Sequence, residues 1–431
     1  MERVTVIGAG LAGCEAAWQL ARRGIGVRLI EMKPEKKTPA QVSGDFAELV
    51  CSNSLRSNEL TNAAGLLKEE LRRLGSLIMR CADSNRVAAG GALAVDRLGF
   101  SAAVTATIRG CENIEVVQEE ACILPEGDVI VATGPLTSDA LAEALAEKLS
   151  GELLNFYDAA APIVTRESID FGAAFRASRY GKGGEDYVNC PMDESEYLAF
   201  WNELISARQA EVHGFDDGAV FEGCMPVEVM ARRGVETLRF GPLKPVGLID
   251  PRTGREPHAV VQLRRDNSAD TLYNLVGFQT HLAFPEQKRV FSMIPGLENA
   301  EFVRFGVMHR NTYLDSPRLL DRYYRLKSEP RLVFAGQLTG VEGYIESTAS
   351  GLLAALELAR RMSGEKPLDF PRTTAIGALA LYVSDGTITR FQPMNINFGL
   401  LDPLEYRVKG KLNKNAALSE RALREIERKR V

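Results

Sequence analysis

Residues 4–18 read VTVIGAGLAGCEAAW, and this stretch decides the fold. Val4–Ile7 is a short apolar run that predicts a buried strand. Gly8-Ala9-Gly10-Leu11-Ala12-Gly13 follows as a GxGxxG turn, and the next residues predict a helix from about Ala12 to Arg23. A second strand, Val27–Ile30, ends in Glu31. A lone GxGxxG is weak evidence. Here strand, turn, helix, strand and terminal acid occur in the order of a Rossmann βαβ unit, which binds a dinucleotide. Gly8 permits the tight turn, Gly10 lets the backbone approach a pyrophosphate, and Gly13 lets helix pack on strand. The helix start offers free N–H groups and a positive dipole end to phosphate. Glu31 stands where it can accept hydrogen bonds from ribose hydroxyls.

Two later segments narrow the dinucleotide to FAD. Val129–Pro135 (VIVATGP) runs a strand into Ala-Thr-Gly, which sets Gly134 beside the cofactor. Residues 332–351 (LVFAGQLTGVEGYIESTASG) read as a strand, a turn from Gly336 to Gly340 and a helix over Glu346–Arg361. That arrangement aims a helix N-terminus at the flavin end. No second strand–GxGxxG–helix occurs, so NAD(P)H is expected to dock transiently.

A chain of 431 residues predicts two or three domains. The expected class is α/β, a Rossmann-like FAD-binding domain of the two-dinucleotide-fold type interrupted by an inserted α+β domain. Residues 1–160 form its first part. Residues 161–300, turn-rich with strands at Ala259–Leu263 and Leu272–Phe278, form the insertion. Residues 301–431 form the second part with a basic C-terminal segment. Residues 34–62 are polar and read as a long active-site loop. Helices are expected over Gly65–Arg73, from Asp96 to Thr107, and over Ser138–Leu149 behind a Ser cap.

Composition limits the function classes. The chain is 45% hydrophobic and 25% charged, as in ordinary globular proteins. No apolar run approaches the ~18 residues of a membrane helix, and the start lacks a basic leader, so a cytoplasmic location away from membranes is expected. The seven cysteines contain no CxxC pair and no Cys/His cluster, so no metal site or disulfide framework is expected. The net charge of −5 hides an asymmetry. Residues 161–300 carry 15 basic and 20 acidic side chains, whereas residues 301–431 carry 21 and 15. Arg407–Arg430 alone holds nine basic and three acidic residues. Such a stretch can contact phosphates, but on charge alone a solvated C-terminal helix is the preferred reading.

Cys14, Cys81, Cys111 and Cys122 read as small packing residues, and Cys190 leans the same way. Cys51 lies in a polar loop, Val50–Ser54, near the carboxyl ends of the strands, where ligands bind in such folds. Cys224 lies in a Gly/Pro turn, Glu222–Pro226. His213, His258, His281 and His309 lack metal-ligand spacing, and only His309 has a polar, aromatic setting.

Several stretches are shared with one known family: VIGAGLAGCEAAW (6–18), AELVCSNSLRS (47–57), TNAAGLLKEELRRLGSL (61–77), AGGALAVDR (89–97), FGPLKPVGLIDPRTG (240–254), GVEGYIES (340–347) and FQPMNINFGLL (391–401). With these the sequence closely resembles TrmFO, the folate- and FAD-dependent tRNA (uracil-5-)-methyltransferases. One departure is Cys14, where a Ser or other small residue is expected. The resemblance implies methylation at C5 of uridine 54 in the T loop of tRNA. The carbon would come from 5,10-methylenetetrahydrofolate through reduced FAD, with NAD(P)H as reductant. It implies Cys224 as the nucleophile on uracil C6, Cys51 as the second thiol near the flavin, and Tyr344 stacked on the flavin ring. Two other readings compete. One is the related glucose-inhibited division protein A chemistry on a wobble uridine, whose family carries a C-terminal helical extension for which this chain leaves no room. The other is a small-molecule NAD(P)H-dependent flavin oxidoreductase, which leaves the Cys224 segment unexplained.

Overall fold

A computed structural model describes residues 3–38, 40–149, 153–159, 161–181, 184–210, 225–306, 308–389 and 391–429. Strand β1 (Val4–Ile7) is wholly buried, and β2 (Val27–Glu31) pairs with it in parallel, Val6 opposite Leu29. They form the middle of a six-stranded sheet. Its order is Arg325–Leu326, Glu329–Phe334, Val129–Val131, β1, β2, Ile114–Gln118. All neighbours are parallel except the first pair. Strands buried on both faces read as unbroken apolar runs, which is why VTVI and VIV carry no alternation.

Helix α1 (Leu11–Ala21) is buried at every position except Trp18. One side packs on the sheet and the other on a long helix, Tyr344–Met362, itself buried from Ile345 to Ala359. Small residues allow the close approach. A Cβ on Gly351 would come within 2.3 Å of the Ala12 carbonyl oxygen.

A second sheet of six strands, antiparallel throughout, lies between residues 163 and 304. Its central strand, Ala259–Arg265, buries Ala259, Val261 and Leu263 in one core with Phe200, Phe278 and Phe291. The opposite face carries Val260, Gln262 and Arg264. Residues 4–149 and 313–426 contribute to the other large core. A two-stranded antiparallel ribbon, Leu153–Ala159 with Met308–Leu314, runs where the chain passes between them.

The expected elements of the first sheet occur within a few residues of their predicted bounds. Two readings differ, and a third is refined. The polar stretch 34–62 is not wholly loop. Ser54–Ser57 pairs with Ala92–Val95 in a three-stranded sheet, its extension supplied by tertiary pairing that local polarity hides. Ser138 stands at the N-cap of helix Asp139–Lys148, but its side chain makes no capping bond. The basic C-terminal segment is an amphipathic helix, Lys411–Glu427. It buries Leu418, Ala422, Leu423 and Ile426, while Ser419 Oγ donates to Leu60 O at 2.6 Å.

Candidate cofactor and thiol site

The glycine turn between β1 and α1 has no room to spare on two sides and open space on the third. Gly8 has φ +96°, and a Cβ there would lie 2.7 Å from Ala132 O. A Cβ on Gly13 would lie 1.8 Å from Gly8 O. A Cβ on Gly10 would meet nothing within 4 Å. Gly10 is also the N-cap of α1, with extended backbone and no side-chain cap, so the first N–H groups of the helix face that space. The adjoining cavity is lined by Gly8, Gly10, Glu31, Met32, Ala121 and Thr133. A glycine turn open at a helix N-terminus in this way can cradle a pyrophosphate.

Glu31 is buried, and its carboxylate accepts backbone N–H groups from Ala9 at 2.7 Å and Lys33 at 3.0 Å. Those bonds fix the acid against the turn and use two of its roughly four lone-pair directions, leaving the others for ribose hydroxyls. Ala9 O accepts the N–H of Ala47 and the Cys14 thiol. Cys14 is thus a packed residue that tightens the turn, and burial holds its thiol well above the usual range. Ala12 packs under Gly336, and Gly134 (φ +73°) turns the chain beside the cavity wall at Thr133. The residues from the fingerprint, Gly134 and Gly336 therefore converge at the carboxyl ends of three adjacent strands.

The other end of the site is built around Cys51. Its loop begins after Ala47 (φ 50°) and ends at Arg56 (φ 64°), both in the left-handed region that non-glycine residues avoid. Tyr344, first residue of its helix, ties the loop down: its hydroxyl accepts the N–H of Cys51 at 2.8 Å and of Ser52 at 3.1 Å. Burial and the neighbouring Cys51 push the Tyr344 phenol up, so it stays protonated. The Tyr344 ring was expected to stack on a flavin, and its hydroxyl has this second task.

Three guanidinium groups surround Cys51, and sequence reading did not find them. Arg264 is buried; its Nε donates to Asn53 Oδ1 at 3.0 Å and its Nη2 to Ser52 Oγ at 2.6 Å. Burial pulls its pKa down, with Cys51 among the groups that pull back. Arg97 donates to Leu49 O and forms a fork with Asp266 at 2.8 and 3.2 Å. Arg304 donates to Ala40 O at 3.0 Å, and Cys51 and Tyr344 lie within its electrostatic reach. Among the described residues only Arg97 of the three has a carboxylate partner. The field at this loop therefore favours negative charge. The one available signal was the strand AVVQLRR, in which polar Gln262 and Arg264 interrupt an apolar run.

Other cysteines lie elsewhere. Cys81 and Cys190 are buried, burial pushing the latter thiol to about 12, and Cys122 is exposed. Cys224 and His213 lie outside the described residues, as does the His309 side chain. Among the described residues no cluster of three His, Cys, Asp or Glu side chains could hold a metal, and no helix is long and apolar enough to cross a membrane.

A glycine-cradled βαβ turn at one end and a second helix N-terminus at the other define a flavoprotein of the two-dinucleotide-fold type. The chain matches the sequence model of the glucose inhibited division protein A family over residues 3–366. The solved structure of Aquifex aeolicus GidA superposes with a TM-score of 0.71 at 17% identity, covering 99% of this chain and 73% of that one. Methylenetetrahydrofolate–tRNA-(uracil-5-)-methyltransferase TrmFO of Acetivibrio thermocellus is 61% identical over 425 residues, 98% of each chain. The same enzyme of Desulfitobacterium hafniense is 61% identical over 99% of this chain and 98% of its own, and that of Lactobacillus gasseri 56% over the same shares. The chain belongs to the glucose inhibited division protein A family and, within it, to TrmFO.

Proposed function

We propose that this enzyme methylates C5 of a T-loop uridine in tRNA, using 5,10-methylenetetrahydrofolate, FAD and NAD(P)H. Family membership over nearly the whole chain selects this reaction over wobble-uridine modification and over a small-molecule oxidoreductase. The structural observation that carries it is the Cys51 loop, held by Tyr344 at the mouth of the second helix and ringed by Arg97, Arg264 and Arg304.

Residues Gly8–Gly13 and Glu31 hold the pyrophosphate and ribose, Gly134 and Gly336 shape the cofactor channel, and the Tyr344 ring supports the flavin. Bound FAD, once reduced by NAD(P)H, would supply both the route by which the folate carbon reaches the base and the hydride that takes it from methylene to methyl. The protein's own chemistry is covalent activation of uracil. C5 is a weak nucleophile. Addition of the Cys224 thiolate to C6 makes C5 enolate-like. After the carbon has joined C5, Cys51 accepts the C5 proton, and expulsion of Cys224 restores the ring. The base must leave its stack to reach this site. A cytoplasmic location and the division into residues 1–160 and 301–431 around an inserted 161–300 complete the proposal.

The test is incorporation of label from methylenetetrahydrofolate into T-loop uridine with NAD(P)H present. Cys224→Ala should abolish it and leave FAD content unchanged. Label arriving only from S-adenosylmethionine would overturn the reading, and normal turnover by Cys224→Ala would remove that thiol from its role.

A further inference from the structure

The segment Phe240–Gly254 (FGPLKPVGLIDPRTG) lies outside the cofactor site, yet it is built as a rigid, exposed platform. Phe240 is 82% exposed, Ile249 57% and Val246 41%, and Tyr180 beside them is 63% exposed. Large apolar side chains exposed along one short segment, with the Tyr180 ring against Gly247, mark a contact. The platform is firmly held from below. Leu248 is buried against Phe175 and Val260, Val260 N–H donates to Leu243 O at 3.1 Å, and Tyr180 N–H donates to Gly247 O at 3.1 Å. Asp250 is buried and locked by the Arg252 side chain and backbone at 2.8–3.1 Å.

Its charge is as unusual as its exposure. Residues 161–300 are net acidic, yet Arg239–Arg255 holds four basic side chains and one acidic one; Arg252 pairs with Asp250 and Arg239 with Glu236, which leaves two cations over. Among the described residues Lys244 and Arg255 pair with no carboxylate. Exposed rings interleaved with free cations suit a nucleic acid, which offers π-faces and phosphates together.

Position points the same way. Val260, Gln262 and Arg264 share one face of their strand. Val260 lies under the platform, Arg179 bridges Gln262 to Val246 O, and Arg264 holds the Cys51 loop. Four residues of strand span about 13 Å. The Val246–Leu248 part of the platform and the thiol loop therefore adjoin one face of this strand, a few nucleotides apart.

We infer that Phe240, Tyr180 and Lys244, with Arg255, Val246 and Ile249 around them, form a docking surface for the tRNA arm whose base enters the Cys51 site. The inference rests on the tRNA-methylation reading above. Its test uses the full-length FAD-loaded enzyme and an unmodified tRNA transcript. Phe240→Ala and Lys244→Glu should each weaken transcript binding by about tenfold. Both should raise the KM for tRNA while FAD content and the KM for methylenetetrahydrofolate stay as in wild type. Phe240→Trp, which keeps a stacking face, should bind within about twofold of wild type. Variants that bind the transcript like wild type would overturn the surface. So would a selective rise in folate KM, which would assign the platform to the folate tail, or a selective loss of self-association, which would assign it to a second copy. A wild-type enzyme that binds no tRNA would overturn the methylation reading as well.

Discussion

Replacing Gly10 and Gly13 by alanine, one at a time, separates the cofactor's demands on the turn from the fold's own. The substitutions are chemically identical and three residues apart. At Gly13 the added methyl would sit 1.8 Å from Gly8 O, well inside any real contact, with the Ala132 Cβ at 3.4 Å behind it. Neither β1 nor α1 can retreat, since both are buried on all sides, so overpacking should cost about 3 kcal/mol or more. At Gly10 the methyl meets no atom within 4 Å, and the backbone there (φ −74°) is open to alanine. Loss of a good N-cap residue and the stiffer unfolded chain roughly cancel, leaving stability within about 1 kcal/mol. The open space is where a pyrophosphate would lie, so FAD affinity should fall at least about a hundredfold, or about 2.7 kcal/mol. Thermal melts of the apoproteins and flavin titrations read both quantities. Gly10→Ala should melt like wild type and stay largely free of bound flavin at FAD levels just sufficient to saturate wild type. A Gly10→Ala protein with wild-type FAD affinity would refute the placement of the phosphates, and a Gly13→Ala protein of wild-type stability would refute the packing argument.

Tyr344→Phe keeps the ring but removes the acceptor for two backbone N–H groups, so FAD should be retained while methylation slows by up to roughly thirtyfold. Tyr344→Ala should lose FAD as well, and equal turnover of Tyr344→Phe and wild type would discount the loop restraint. Arg264→Lys keeps the charge but not the two-pronged hold on Ser52 and Asn53, and kcat should drop about tenfold or more with flavin content intact. A wild-type kcat would show that the loop needs no such hold. Burial pushes Glu70 from its ordinary 4.5 up to about 8, although it accepts the N–H groups of Ala375 and Ile376. The folded protein thus keeps a proton that the unfolded chain releases above about 4.5, and stability falls as pH rises toward 8. Melting temperatures across pH 5–8 should show this slope in wild type and a flatter profile in Glu70→Gln, whereas parallel profiles would contradict it.

The cofactor end of the site was legible because its signals are local. A strand, three glycines, a helix and Glu31 fall within 28 residues, and each glycine answers to a steric need inside that span. The thiol end was legible only in part. Cys51 stood out by its polar loop. Nothing near it in sequence announces Arg264 or Arg304, more than 200 residues away, which reach it through the pairing of a second sheet. The strand at Ser54–Ser57 was hidden for the same reason, since its partner Ala92–Val95 supplies the hydrogen bonds. The charge of Arg407–Arg430 left phosphate contact and a solvated helix both open, and the fold shows a helix whose apolar stripe faces residues 60–73.

The helix Tyr344–Met362 is also a ruler. Gly351 rests on Ala12, one step from the phosphate-binding turn, and Tyr344 holds the Cys51 loop. Seven residues separate the two, close to two full turns or about 10.5 Å, so both point to the same side of the helix. The distance between the glycine turn, proposed to take the phosphates, and the thiol is therefore set by a count of residues along one rod. Inserting a single residue between them would swing Tyr344 by about 100° and shift it 1.5 Å, detaching the thiol loop while both ends of the helix stayed packed. Drift in length is closed to this segment of the chain, even where drift in side chains is not.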